Sequence, residues 1–398
     1  MKKIITVLVT CVIILLLTYY LWSNPNLVKD MLEPVSNIIE SFTLEKELPY
    51  TQDFMVNEIT IKTTNFYYNK LLPNEQAIYK SLANAIKELK TDFIIQDYEF
   101  FNNDQTMKDV EKALNSFLLD HPEVFYLNDK YAVSTNKNIF GTKIGLNISY
   151  TVTSKEELNN QIEQIKVGMQ EILSKVNISE NDFEKELKLH DVLGKVVKYY
   201  EYDDINQIPH SAHTIYGTFV QKSAVCDGLS KSMQVLLDNV GIESIVLTGR
   251  LNNEAHAWNM VNLENDWYNL DITSDKSIKD YSSVVIHSYF NITTEKIKQT
   301  HSIDYEEIIP IAISKKYDYF VYKDKLITIN DNFNTKLIDI LNSNSDSEKV
   351  EYTVENVDNV PEKTINVLRR GRYYQYLDES LSRFVYYNVL DNYIIIKK

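Results

Sequence analysis

Three residues of this chain have side chains whose combination does covalent chemistry on a carbonyl. Cys226 stands in Ala224-Val225-Cys226-Asp227-Gly228, His256 in Ala255-His256-Ala257-Trp258-Asn259, and Asp271 in Trp267-Tyr268-Asn269-Leu270-Asp271-Ile272-Thr273. Nucleophilic acyl chemistry needs a thiolate, an imidazole that shares and relays its proton, and a carboxylate that fixes the ring's tautomer and orientation. A lone cysteine at a buried helix start is accounted for by packing, and a lone histidine beside a tryptophan in a strand by a satisfied core position. The set of three is what points to catalysis.

The elements that must position these residues are legible around them. Leu229, Met233, Leu236, Leu237 and Val240 recur at helical spacing up to Gly241, which predicts a buried helix with a glycine stop. Cys226 then lies in or just before the first turn. There, unpaired N–H groups and the helix dipole favour a thiolate and can hold an oxyanion. Gly228 is expected to leave room beside the sulfur for a substrate carbonyl. Ser244 to Gly249, Ala255 to Leu263 and Trp267 to Thr273 read as a three-strand meander. A reversal at Glu264-Asn265 sets His256 opposite Thr273, with Asp271 its diagonal neighbour on the same face.

On these residues the chain resembles the transglutaminase-like superfamily, over roughly Leu187 to His301. Val225-Cys226-Asp227-Gly228 is similar to the family's cysteine motif, His256-Ala257-Trp258-Asn259 to its histidine motif, and Trp267-Tyr268 through Asp271-Ile272-Thr273 to its aspartate motif. The resemblance implies a papain-like α+β core in which a helix bearing Cys226 packs on an antiparallel sheet bearing His256 and Asp271. It implies Cys226 as nucleophile, His256 as general acid and base, and Asp271 as its orienting partner. Asn206 to Val220 is similar to the lead-in of bacterial members. On that likeness Tyr216 supports the cleft, although an aromatic there fits core packing equally, and Trp258 is given a similar cleft or oxyanion role. The chain departs from the commonest bacterial pattern at Leu229-Ser230, where tyrosine and alanine are frequent, and at Ser274, where an aromatic often follows the threonine. These departures are expected to leave the triad untouched and to alter the acyl pocket.

The bulk composition agrees with a folded enzyme. Of 398 residues, 44% are hydrophobic and 24% charged, and the formal net charge is -15. Such an acidic chain repels nucleic-acid phosphates, and its basic run Arg369-Arg370-Gly371-Arg372 is short and isolated, so no nucleic-acid partner is expected. From Ile4 to Trp22 about nineteen largely apolar residues span about 28 Å as a helix, enough to cross a bilayer. Lys2 and Lys3 before it place the N-terminus in the cytoplasm and the catalytic part outside. No small-residue cleavage site is evident, so residues 1–23 are expected to be a retained single-pass signal anchor. Cys11 lies inside this run, which makes Cys226 the only thiol of the external part and excludes a disulfide framework.

Residues 24–57, with Pro25, Pro34 and Pro49, read as a tether, 58–178 as an N-terminal α+β domain, 179–303 as the catalytic domain and 304–398 as a C-terminal α+β domain. In the first domain, helices are predicted over Asn74–Leu89 with Asn74 as cap, and over Met107–Leu119. A further helix begins at Ser154 with a capping box closed by Glu157. In the last domain, Tyr317–Tyr322 and Leu326–Asn330 read as a hairpin, and Phe384–Leu390 with Tyr393–Ile396 as another. Tyr373, Tyr374, Tyr376, Tyr386 and Tyr387 suit either a binding surface or sheet packing. His210 and His213 lack a third ligand, and no phosphate-binding glycine loop is present, so neither metal nor other cofactor is expected. The function expected is a cell-surface thiol enzyme that forms a thioester on Cys226 from an amide or peptide bond. The acyl group passes to an amine or to water, and the partners are proteins or peptides, with cell-wall peptides among them. The alternative is a non-enzymatic surface module that keeps the fold for binding.

Overall fold

The computed structural model describes residues 64–369 except 140, 203, 205–206, 277–284, 345–346 and 348, together with 384–387 and 393–397. The expected membrane helix at 4–22, the tether and Tyr373, Tyr374 and Tyr376 lie outside the described residues. Among those described, no helix is long and apolar enough to cross a membrane.

The first elements are a helical pair on a small sheet. Helix α1 (Pro73–Lys87) buries Ala77, Ile78, Leu82, Ala85 and Ile86. It starts one residue earlier than expected because proline at the first helical position has its φ preset and lacks only an N–H that would be unpaired anyway. Asn74 is therefore inside the helix and does not cap it. Its side chain instead exchanges hydrogen bonds with the backbone of Glu99, at 2.9 and 3.1 Å. Strand β1 (Asp92–Ile94) and helix α2 (Asn103–Asp120) follow, the helix capped by Asn102 and stopping at His121 before Pro122. Strands β2 (Leu127–Asn138) and β3 (Gly141–Tyr150) complete a sheet of order β1-β3-β2, with Ile144, Leu146 and Ile148 buried. Helix α3 (Lys155–Leu173) is capped by Ser154, which accepts from the Glu157 N–H at 3.1 Å. The Glu157 carboxylate turns to Thr153 instead of closing the expected box on Ser154.

The centre of the molecule is one helix on one sheet. Helix α4 (Asp182–Val196), strands β4 (Lys198–Tyr199) and β5 (Ser223–Ala224), and helix α5 (Cys226–Asn239) lead into strands β6 (Ser244–Leu251), β7 (Glu254–Leu263) and β8 (Asp266–Leu270). Leu229, Met233, Leu236 and Leu237 of α5 are fully buried, and Gly241 at φ +82° ends the helix as its position predicted. Both hairpins turn through two residues of positive φ, Asn252-Asn253 and Glu264-Asn265, the geometry whose twist matches that of paired strands. The second turn pairs Leu263 with Asp266 and Asn259 with Leu270, the register expected.

The third strand is shorter than predicted. It ends at Leu270, and Ile272–Lys276 form a short helix α6. Asp271 is the last residue before that helix, and its Oδ1 accepts from the N–H groups of Thr273 and Ser274 at 3.0 and 3.1 Å. A buried aspartate in this position caps a helix more favourably than it extends a strand. Helix α7 (Thr294–Ile297) and strand β9 (His301–Ile303) follow, β9 joining the edge of the sheet in the order β8-β7-β6-β9.

In the C-terminal part, helix α8 (Tyr319–Tyr322), strand β10 (Leu326–Thr328), helix α9 (Phe333–Ser343), strand β11 (Lys349–Glu355), helix α10 (Val360–Leu368) and strands β12 (Phe384–Tyr387) and β13 (Tyr393–Lys397) build a sheet of order β10-β11-β13-β12. The hairpin expected over Tyr317–Asn330 is absent. Asp318 caps α8, and β10 pairs in parallel with β11, a partner more than twenty residues away. The closing hairpin is present as β12 and β13, with Tyr387 opposite Tyr393.

Gly228 serves packing and not the substrate space assigned to it. A Cβ there would stand 2.4 Å from the carbonyl oxygen of Ala212 and 3.1 Å from the Ala224 Cβ, so the glycine lets the one-turn helix His210–His213 lie against α5. Gly228→Ala is expected to destabilise the protein by about 1–3 kcal/mol, the range of overpacking in a filled core. Chemical denaturation of the two proteins measures it, and equal midpoints would refute the assignment.

Candidate active site

Helix α5 delivers Cys226 at its first residue, where the leading N–H groups have no intrahelical acceptor. The thiol is free and half-buried. Strand β7 delivers His256, 7% exposed, and the end of β8 delivers Asp271, fully buried. His256 Nε2 lies 2.8 Å from Asp271 Oδ2. An ionised carboxylate only accepts, so Nε2 carries the hydrogen, and Nδ1 is the nitrogen left to serve the Cys226 sulfur, which favours the charged ring. The structure thus brings the sequence-predicted residues together, the imidazole bonded to the carboxylate and its charge favoured by the sulfur.

The charges of this chain follow from its contacts. Burial alone would lower the His256 pKa, but the Asp271 carboxylate and the Cys226 sulfur more than offset it and push it up to about 10. Burial alone would raise the Asp271 carboxyl, but His256 and the hydrogen bonds of both histidines hold it well below the usual carboxylate range. The resting site holds an imidazolium against the Asp271 carboxylate, and a protonated ring there can donate to a leaving group.

Three further residues, His301, Ser274 and Ser230, complete the site. His301 on β9 places Nε2 3.1 Å from the same Asp271 Oδ2, while its Nδ1 meets Thr300 Oγ1 at 2.8 Å. Ser274 donates its hydroxyl to that oxygen as well. Ser230 is fully buried, with its Oγ 2.8 Å from the carbonyl of Cys226 and 3.0 Å from that of Ala257, which joins the nucleophile's helix to the histidine's strand. The two departures from the family pattern, at 230 and 274, therefore touch the triad's framework directly, contrary to the expectation that they only shape the pocket. His301 carries no local pattern that marks it.

Tyr216 and Trp258 take other places than those expected. The Tyr216 hydroxyl donates to Gln164 of α3 at 3.0 Å, and its ring stacks on Phe125. Trp258 is fully buried behind His256, with ring planes 17° apart, and spends its Nε1–H on Asn269. It supports the histidine from the core side and has no free donor for an oxyanion. In the first turn of α5 the Gly228 N–H is taken by Asp227 Oδ1 at 3.0 Å, and the N–H groups ahead of it are the donors suited to that task. His210 bonds Asp129 and the Phe125 carbonyl, and His213 bonds Asp227, so the two do not converge on a metal. His256, Asp271 and His301 each offer a ligand atom within 4.8 Å of the others, and both rings are hydrogen-bonded to the one oxygen Asp271 Oδ2. A cavity of about 400 Å³, lined by Asp227, Lys231, His213, Asp129, Thr248 and Asp304 among others, opens one residue beyond the nucleophile.

The sign of the pH dependence follows from these shifts. With its pKa raised from 6.5 to about 10, charged His256 contributes stability in full below pH 6.5, and this is lost as the pH climbs through about 10. Asp271, depressed, contributes above about pH 4 and loses its contribution only on acidification. Alkylation of Cys226 by iodoacetamide is therefore expected to fall at least tenfold at pH 6 in His256→Ala, which lacks the charged ring beside the sulfur. A rate unchanged by that substitution would refute the pairing. His301 acts as a positioning residue on Asp271. Removing a hydrogen bond to a charged group costs roughly 1.5–3 kcal/mol, so His301→Leu should slow alkylation at pH 6 by about tenfold or more and move its acid limb upward. His301→Gln, which keeps a donor, should recover part of the loss. A wild-type profile in the leucine variant would dismiss this role.

Comparison with known proteins agrees with the motifs. Residues 173–272 match the transglutaminase-like superfamily. No curated protein matches the chain. Among solved structures, similarity extends to a TGase at 15% identity, with 38% of this chain and 48% of that one covered and a TM-score of 0.26. It extends also to a provisionally assigned cysteine protease of Cytophaga hutchinsonii at 14% identity, with 40% and 66% covered and a TM-score of 0.23. The chain spans about half the length of the first and under two thirds of the second. The match over 173–272 takes in Cys226, His256 and Asp271, and by it this part of the chain belongs to the transglutaminase-like superfamily.

Proposed function

We propose that the protein is a thiol acyltransferase that acts on carboxamide or peptide bonds through a thioester on Cys226. The observation that carries this reading is the convergence of Cys226, at the start of a buried helix, on His256, whose Nε2 lies 2.8 Å from the buried Asp271 carboxylate and whose charge the Cys226 sulfur favours. In the first half-reaction the Cys226 sulfur attacks the carbonyl carbon, and the oxyanion is held by N–H groups of the first turn of α5. His256 passes its Nδ1 proton to the departing nitrogen, the C–N bond breaks, and ammonia or an amine leaves. In the second half, neutral His256 takes a proton from water or from an incoming amine as that nucleophile attacks the thioester. The sulfur leaves and the resting ion pair is restored. Asp271 keeps the ring in one tautomer throughout.

The same proposal places the enzyme at the cell surface. The support is the apolar run Ile4–Trp22 behind Lys2 and Lys3, which suits a signal anchor with the catalytic part outside. Peptides of the cell wall and glutamine-bearing surface proteins are the substrates within reach of such an enzyme.

Incubation of the protein with wall-peptide fragments or a glutamine-containing protein, followed by acid quench and intact-mass measurement, is expected to show an acyl adduct on Cys226. The adduct should be absent in Cys226→Ala and reduced by about 100-fold or more in rate in His256→Ala, the scale of general acid–base contributions. Adding a primary amine separates the acceptors, since an amide product reports transfer and free acid reports hydrolysis. If no adduct forms with either substrate class while the thiol remains alkylatable, the chain is a binding module and not an enzyme of this kind.

A further inference from the structure

A second histidine cluster lies where α4, the segment after α6 and strand β11 meet. His190 and Asp191 come from α4, His287 from the residues that follow α6, and Glu351 from β11. His190 Nδ1 and His287 Nε2 stand 3.3 and 2.9 Å from one oxygen, Asp191 Oδ1, and the three atoms lie within 4.8 Å of one another. The second nitrogen of each ring also faces a buried carboxylate. His287 Nδ1 is 2.6 Å from Glu351 Oε1, and His190 Nε2 is 3.3 Å from Asp275 Oδ2.

Hydrogen accounting makes this arrangement informative. Three hydrogen bonds between ring nitrogens and carboxylates need three hydrogens, one more than two neutral imidazoles carry, and the fourth pair, His190 Nε2 and Asp275 Oδ2, is in contact without a hydrogen bond. A divalent cation between His190 Nδ1, His287 Nε2 and Asp191 leaves both rings neutral, with the one hydrogen of each on its outer nitrogen. Each ring keeps one N–H for its outer carboxylate, the carboxylate–histidine–metal order that fixes ligand tautomers in metal sites. The spacing suits the ion. Tetrahedral bonds of about 2.0–2.1 Å give ligand–ligand edges of about 3.3 Å, so the His190 pair already fits and the His287 pair opens by about 0.4 Å. The Tyr319 ring stacked on His287 at 4.0 Å sets the plane of that ligand, and Lys349, 3.0 Å from Glu351, balances the remaining negative charge. Among the three ligands only Asp191 reaches solvent, its side chain 32% exposed, so the ion enters there and water completes its shell.

We propose that His190, Asp191 and His287 bind one divalent cation of the zinc class, at a site separate from the triad. The ion staples the catalytic core to the C-terminal sheet through His287 and Glu351. The position is absent from the sequence-based expectation of no metal because His287 lies nearly a hundred residues from His190 and no ligand spacing announces it.

The test uses the full chain, stripped with chelator, incubated with zinc chloride and freed of excess by gel filtration. Bound zinc by elemental analysis and the thermal midpoint are read on wild type, His287→Gln, Asp191→Asn, Glu351→Gln and Cys226→Ala/His256→Gln. Wild type and the triad double variant should each bind one zinc per chain and gain in midpoint. His287→Gln and Asp191→Asn should lose both effects, with their chelated midpoints reporting whether they fold. Glu351→Gln keeps all three ligands and should weaken zinc binding by about 10–100-fold, the usual effect of an outer carboxylate. The proposal is overturned if wild type holds no zinc, if zinc survives in the ligand variants, or if it leaves with Cys226 and His256.

Discussion

A single buried carboxylate sets the terms for the rest of this structure. Asp271 is fully removed from solvent, and an ionised carboxylate there costs several kcal/mol unless its lone pairs are filled. Five donors fill them, the rings of His256 and His301, the hydroxyl of Ser274 and the N–H groups of Thr273 and Ser274. These donors arrive from β7, from the edge strand β9 and from the first turn of α6. The sheet must therefore hold β7 and β9 on either side of β6, and β8 must end where it does, for one anion to be satisfied. The geometry of the candidate site and the stability of the fold rest on the same oxygens.

The nucleophile's side of the site is held by packing of small residues. Gly228 brings the His210–His213 turn against the helix, and Ser230 sits where its hydroxyl reaches the carbonyls beside both Cys226 and His256. Asn259 closes the contact by donating to the Ser230 carbonyl at 2.9 Å. Sulfur and imidazole are thus aligned by main-chain groups on two rigid elements. Their registry does not depend on the flexibility of either side chain.

Much of this was legible in the sequence, for identifiable reasons. The helix behind Cys226 shows a 3.6-residue apolar period with a glycine stop, and the hairpin at Glu264-Asn265 fixes which residues of β7 and β8 can meet. Local periodicity and turn chemistry are strong signals, and they set Cys226, His256 and Asp271 on the elements that the structure brings together. The end of β8 was misread because Trp267 to Thr273 is apolar and aromatic, while the competing signal, an aspartate followed by Thr273 and Ser274, is that of a helix cap. His301 and the parallel pairing of β10 with β11 were invisible for a different reason. Both are contacts between distant segments, and no period or spacing in one sequence encodes them.

Helix α6 shows how the two halves of the molecule are joined. Its flanking and final turns carry Asp271 and Asp275, four residues apart and linked by the Asp275 N–H to Asp271 carbonyl bond at 3.1 Å. Asp271 serves His256 and His301. Asp275 faces His190 and accepts from the Tyr289 N–H at 2.8 Å, and the Tyr289 carbonyl accepts in turn from the Asp271 N–H at 3.1 Å. One short helix and its lead-in residue thus supply a carboxylate for each histidine cluster, and the backbones of Asp271 and Tyr289 close a loop of hydrogen bonds with Asp275. A displacement of α6 large enough to free Asp275 from His190 must also break contacts at Asp271. The catalytic imidazole and the cluster bound to the C-terminal sheet are in this way parts of one buried electrostatic unit.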